Sequence, residues 1–154
     1  MARKIYIDGD GSPVKEDVFE ISSAYGIDVV LVTSLDHYSS KEVPENVKLV
    51  YVDAGRDAAD FKIVQLIQKN DILITQDYGL ASLVLGKGAL PLHQLGFIYT
   101  SGNIDSLLQS RFLHQLDRKN GNRTRGPKPF TKENHDVFQQ KLIDIIQSNY
   151  SGGR

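Results

Sequence analysis

Ile5-Tyr6-Ile7-Asp8-Gly9-Asp10-Gly11-Ser12-Pro13 is the stretch that decides the fold. Three residues of strand preference run into an acidic, glycine-rich turn, and a helix is expected from Pro13, which suits a first helical turn. An Asp-x-Asp at the carboxyl end of a first strand aims two carboxylates at one spot beyond the sheet edge. In open α/β sheets that crevice is where ligands bind.

Outward from this stretch, strand and helix alternate. The first strand covers Lys4 to Asp8, and Ser12 is placed to cap the helix that follows. Val14, Val18, Ile21 and Tyr25 recur at helical spacing, with Lys15, Glu16, Asp17 and Glu20 on the other face. Gly26 suits the C-terminal cap. Ile27 to Thr33 is almost continuously apolar and β-branched, as a strand buried on both faces of a parallel sheet would be. A polar loop, Ser34 to Asn46, leads to a third strand, Val47 to Val52, and to the acidic turn Asp53-Ala54-Gly55-Arg56-Asp57.

A helix is expected over Ala58 to Lys69, with Phe61, Ile63, Leu66 and Ile67 forming its apolar face. A fourth strand runs from Ile72 to Thr75. Asp77 then opens a helix ended by Gly86-Lys87-Gly88. Short extended pieces fall near Ala89 to Leu92 and Phe97 to Thr100. This alternation predicts a three-layer α/β/α fold with a mostly parallel sheet. The last third is helical: Asn103 to Lys119, then a Gly-, Pro- and Arg-rich loop over Asn120 to Phe130. A final helix capped by Thr131 carries Val137, Phe138, Leu142, Ile145 and Ile146. One domain over 1–150 with a frayed tail at 151–154 accounts for the whole pattern.

The chain has no cysteine, which excludes disulfides, thiolate zinc sites and a cysteine nucleophile. Its net charge of -1 means that affinity for nucleic acid must come from a local basic patch. Met1-Ala2-Arg3-Lys4-Ile5 has basic residues with no apolar run behind them, and no segment reaches the length of a membrane span. The expected location is the cytoplasm, with no membrane partner.

The acids recur at matching places. Asp57 and Asp60 stand three apart at a helix start, hence on one face. Asp77 directly follows Ile72-Leu73-Ile74-Thr75-Gln76, at the end of the fourth strand. Neighbouring parallel strands would bring four or five of these carboxylates together with Asp8 and Asp10. Two carboxylates about 4 Å apart repel by roughly 4 kcal/mol at an effective dielectric near 20. A divalent ion with oxygen ligands resolves that repulsion most simply. Each acid also has a plainer reading, as a helix-start residue facing the helix dipole.

Arg118, Lys119, Arg123, Arg125, Lys128 and Lys132 form a run uninterrupted by acids, with Phe130 able to stack on a base. Such a loop suits phosphate backbone, and Lys15 joins it as a candidate nucleic-acid contact. The histidines His37, His93, His114 and His135 are scattered and read as structural or surface residues. No phosphate-binding P-loop or dinucleotide fingerprint occurs. Lys87, between two glycines, is a weak candidate phosphate contact.

The ordered set Ile7 to Lys15, Asp57-Ala58-Ala59-Asp60, Asp71 to Asp77, Leu80-Ala81, Lys87-Gly88-Ala89, Asn103-Ile104 and Gly126 to Phe130 resembles the YaiI/YqxD family of uncharacterised bacterial proteins. Those proteins are similar to PIN-like nuclease domains. The family usually shows Asp-Ala-Asp-Ala-Cys-Pro-Val-Lys where this chain has Gly9, Gly11 and Ser12. The acids and Pro13-Val14-Lys15 are kept, so no thiol is required there. The resemblance implies a PIN-like fold in which Asp8, Asp10, Asp57, Asp60 and Asp77 bind Mg2+ or Mn2+. It implies a nuclease, acting on RNA rather than DNA, with Asp8, Asp60 and Asp77 as its catalytic acids.

Two rivals stand beside it. Asp8-Gly9-Asp10 looks like the first motif of haloacid-dehalogenase-like phosphatases, with Thr75 and Lys87 imitating the next two, although the acidic pair Asp57 and Asp60 then comes in the wrong order. The other rival is a domain of this type that binds RNA or a protein without chemistry.

Overall fold

In the computed structural model, which describes residues 3–9, 12–35, 42–53, 57–109 and 129–148, the apolar run becomes β1 (Lys4–Asp8), the middle strand of a five-stranded sheet. The other elements are α1 (Lys15–Tyr25), β2 (Asp28–Ser34), β3 (Val47–Val52), α2 (Ala58–Leu66), β4 (Ile72–Ile74), α3 (Tyr78–Gly86), β5 (Leu90–Leu92) and a C-terminal helix (Lys132–Ser148). The strand order is β3-β2-β1-β4-β5 and every pairing is parallel. Ile5 pairs with Val29 on one side and Ile72 on the other; Ile7 pairs with Leu31 and Ile74.

Successive side chains of a strand point to opposite faces. Ile5 and Ile7 enter a core shared with Val14 and Val18 of α1 and with Phe138 and Leu142 of the C-terminal helix. Tyr6 enters the opposite core with Ile63 of α2 and Leu80 and Val84 of α3. Both faces are covered, which is why β1 and β2 read as unbroken apolar runs. The C-terminal helix lies alongside α1 and runs the same way. His135 reaches Asp17 near the start of α1, and Gln147 donates to the Tyr25 hydroxyl at its end (2.9 Å).

Several boundaries differ from the sequence expectation, each for a local reason. α1 begins at Lys15; Val14 holds its N-cap position without a side-chain cap, and the Ser12 hydroxyl instead accepts from the Val14 N–H (3.4 Å). Tyr25 is exposed, and Phe19 is buried in its place. Asp17, expected on the solvent face, is buried against the C-terminal helix. Its Oδ2 lies 2.5 Å from His135 Nδ1, and its Oδ1 accepts from Gln139 (3.0 Å). A carboxylate with partners on a second helix is worth burying; without them it would not be.

α2 stops at Leu66, short of Lys69, with Ile67 extended. The buried Asp71 carboxylate explains the stop, since it accepts from the Gln68 N–H and the Lys4 N–H (2.9 Å each), pinning the chain to the start of β1. The extended piece at Phe97 to Thr100 is a single antiparallel bridge, Leu92 with Ile98.

The cap expected at Thr131 forms as a reciprocal pair. The Thr131 N–H donates to Asn134 Oδ1 (2.9 Å) and the Asn134 N–H to Thr131 Oγ1 (3.1 Å). Thr100 and Asn103 repeat the device ahead of a helical run over 104–109. The remainder of the expected helix to Lys119 and most of the basic loop lie outside the described residues. Among the described residues no helix is long and apolar enough to cross a membrane.

Candidate active site at the switch point

The chain leaves β1 for β2 and β3 on one side, then returns across β1 to β4 and β5 on the other. The boundary between β1 and β4 is therefore the topological switch point, and a crevice opens beyond their carboxyl ends. Asp8 is the last residue of β1 and Thr75 directly follows β4. The Thr75 hydroxyl donates to Asp8 Oδ2 (3.1 Å) and accepts from the Asp77 N–H (3.0 Å). Asp77 in turn caps α3, its Oδ1 accepting from the Leu80 N–H (3.1 Å). Thr75 is buried, while Asp8 and Asp77 are half-buried.

Gly9 lets the chain pass low over β2. Its N–H donates to the Val32 carbonyl (2.9 Å), and a Cβ there would come within 2.6 Å of Leu31 Cδ1. That close passage fixes the backbone from which the Asp8 carboxylate projects.

The other sequence candidates divide into three groups. Asp57 and Asp60 open α2, which packs across β1, β2 and β3. Asp57 is exposed, its side chain makes no cap bond, and its backbone is left-handed at φ 70, a conformation that Asp tolerates better than most residues. Lys15 opens α1 directly after the Asp8 turn. Lys132 opens the C-terminal helix, whose first turns lie beside the first turns of α1, so both lysines stand at the same edge as Asp8. Asp10, Arg118, Lys119, Arg123, Arg125 and Lys128 lie outside the described residues. Among the described residues no three acids or histidines come together as a group able to hold a metal ion. Thr75 links the Asp8 carboxylate to the backbone of Asp77, so both acids start from the same corner of the switch point.

Lys87 stands elsewhere. It follows α3 at the amino-terminal edge of the sheet, where its amine donates to the Val64 carbonyl of α2 and the Gly88 carbonyl accepts from Asn70 just ahead of β4. It caps a helix end, at the edge opposite Asp8.

The sequence reading missed the aromatic cluster beside Thr75. Tyr99 is fully buried and donates its hydroxyl to the Thr75 carbonyl (3.2 Å). Burial, with Tyr78 and Asp77 nearby adding to it, pushes the Tyr99 phenol well above its ordinary range. His93 follows β5, is buried, and stacks on Phe97 at 4.5 Å between ring centroids. Its Nδ1 accepts from the Leu95 N–H (2.9 Å), which places the proton of the neutral ring on Nε2. The one available signal was the aromatic alternation of Phe97 and Tyr99.

Burial pushes His93 down to about 4. The unfolded histidine titrates near 6.5, so between those values the unfolded chain takes up a proton that the folded one refuses. Stability is then expected to fall by about 3 kcal/mol as pH drops from ~6.5 to ~4. In urea unfolding across that window, His93→Asn, which keeps an acceptor for Leu95, should show a shallower pH slope. An unchanged slope would mean that His93 does not carry the acid sensitivity.

The family model described as "Uncharacterized BCR, YaiI/YqxD family" matches residues 6–148. A UPF0178 protein of Enterococcus faecalis is 62% identical over 144 residues, covering 94% of this chain and 97% of its own. UPF0178 proteins of Bacillus thuringiensis and Oceanobacillus iheyensis are 53% and 52% identical over 143 residues, each match covering 93% of this chain and 98% of the relative. No solved structure matches.

Proposed function

We propose that the chain, which belongs to the YaiI/YqxD family, is a metal-dependent nuclease of the PIN-like type that hydrolyses phosphodiester bonds in RNA. The observation that carries the reading is the hydroxyl of Thr75 bonded to Asp8 at the switch point, while the same hydroxyl accepts from the N–H of Asp77 two residues on. Such a contact holds one carboxylate in a fixed rotamer at the place where a ligand would sit.

The donors at this edge suit a hard cation. They are carboxylate and hydroxyl oxygens, the chain has no sulfur ligand from cysteine, and His93, beyond the neighbouring strand β5, is buried with Nδ1 already accepting a backbone bond. Mg2+ or Mn2+ fits that set better than zinc. Mg2+ commonly takes one or two carboxylates and completes its shell with water and substrate phosphate, so a pair of acids is a sufficient protein contribution.

Asp8 and Asp77 would hold the ion, and Asp60, which is not grouped with them closely enough to complete a three-acid site, would with Asp10 or Asp57 serve a second ion or orient the attacking water. A bound divalent ion supplies a more acidic water and offsets charge on the leaving oxygen. Lys15 and the basic run Arg118, Lys119, Arg123, Arg125, Lys128 and Lys132 would hold the phosphate backbone. The phosphatase alternative is disfavoured by Lys87, which caps α2 at the far edge of the sheet.

The test is cleavage of end-labelled single-stranded RNA. Product is expected with Mn2+, none in excess chelator, and recovery when Mn2+ is restored. RNA binding that weakens with salt, without any cleavage in Mn2+ or Mg2+, would replace this reading with the non-catalytic one.

A further inference from the structure

We infer that Tyr78 and Phe97 form a stacking subsite for an unpaired nucleobase next to the ion-bound phosphate that the proposed function places at Asp8 and Asp77. The inference rests on the phosphodiester reading above and adds to it the part of the substrate that is gripped. Four rings gather beyond β4 and β5. Tyr78 lies edge-on to Tyr99 at 5.7 Å between centroids, Phe97 edge-on to Tyr99 at 5.3 Å, and Phe97 stacks on His93. The inner pair, Tyr99 and His93, is buried and anchored to backbone by the bonds to Thr75 and Leu95. The outer pair, Tyr78 and Phe97, is only half-buried.

Packing accounts for the inner rings; it leaves ring surface of the outer two in contact with water. These outer rings are held by buried neighbours, so they lose little conformational freedom when a ligand stacks on them. Their position fits a nucleotide. Tyr78 follows Asp77 directly, and its ring leans towards β5, 6.3 Å from His93. Asp8, Thr75 and His93 end or follow three adjacent strands, which places the cluster about 10 Å from Asp8 along the edge. A phosphate on an ion at Asp8 and Asp77 would thus have a flat apolar surface beside it, on the side of the sheet away from β2. Every base offers a π-face to such a surface, so the subsite would select unpaired nucleotides over duplex with little preference among bases.

Binding separates this inference from the hydrolysis itself. Fluorescence anisotropy would compare a labelled oligouridylate with the same oligomer made wholly abasic, with Ca2+ replacing Mn2+ so that an ion can seat the phosphate, over times in which the oligomers are verified to stay uncut. Wild type is expected to prefer the base-bearing oligomer by about 10-fold or more. Tyr78→Leu, which keeps apolar contact with Tyr99, and Phe97→Leu should each lose most of that preference while binding the abasic oligomer as wild type does. Equal affinity of wild type for both oligomers, or a preference untouched in both variants, would overturn the subsite. Cleavage by wild type with that result would leave the nuclease reading standing, and a retained preference without cleavage in Mn2+ would do the reverse.

Discussion

Asp8→Asn is expected to lower Mn2+-dependent cleavage of single-stranded RNA by about 10²- to 10³-fold. The substitution is nearly isosteric, and the amide keeps an oxygen to accept from the Thr75 hydroxyl, so the end of β1 and the Gly9 passage over β2 should be retained. What is lost is one negative charge at the ion. Electrostatic help from a metal site is worth several kcal/mol in the transition state, and each 1.36 kcal/mol is tenfold in rate. Thermal unfolding should change little, because Asp8 is half-buried at the sheet edge and outside both apolar cores. Wild-type activity in a folded Asp8→Asn protein would remove the mechanism.

Phe138→Ala is expected to cost about 3–5 kcal/mol of folding stability. Phe138 is fully buried and joins the C-terminal helix to the same core as Ile5, Ile7, Val14 and Val18. With Leu142 and Ile145 it supplies the buried face of that helix, and the contacts of Asp17 with His135 and Gln139 add the polar part. A loss of that size is a large share of the roughly 5–15 kcal/mol that holds a domain together. Urea unfolding read by circular dichroism should show a lowered midpoint. A loss under about 1 kcal/mol would mean that the helix docks by other contacts.

How far the sequence announced this structure varies from element to element. β1 and β3 are legible to the residue, because apolar runs bounded by acidic turns admit one strand reading. The parallel sheet follows from β2, whose continuous apolar sequence requires cover on both faces. The cap at Thr131 is legible because its side chain bonds backbone three residues away, a local rule; the same device at Thr100 is not, since Thr100 reads as part of an extended piece. Asp17 was misread because helical periodicity assigns a polar residue to solvent, whereas a distant histidine and glutamine draw it inside. The early end of α2 depends on Asp71 reaching across to β1, which no local pattern contains.

The candidate site divides the same way. Acids at strand ends can be read from spacing, and Asp8 and Asp77 lie where spacing puts them. The Thr75 to Asp8 contact spans 67 residues and needs the register of β1 on β4. The aromatic cluster needs the antiparallel return from Leu92 to Ile98, a single bridge with no sequence signature of its own.

The central claim is that carboxylates at the carboxyl ends of β1 and β4 share a divalent cation. Its most direct measurement is Mn2+ titration followed by electron paramagnetic resonance, on wild type and Asp8→Asn at neutral pH. The account predicts saturable binding to wild type that is weakened at least about tenfold by the substitution. Equal binding to both proteins, or no saturable binding to wild type, would contradict it.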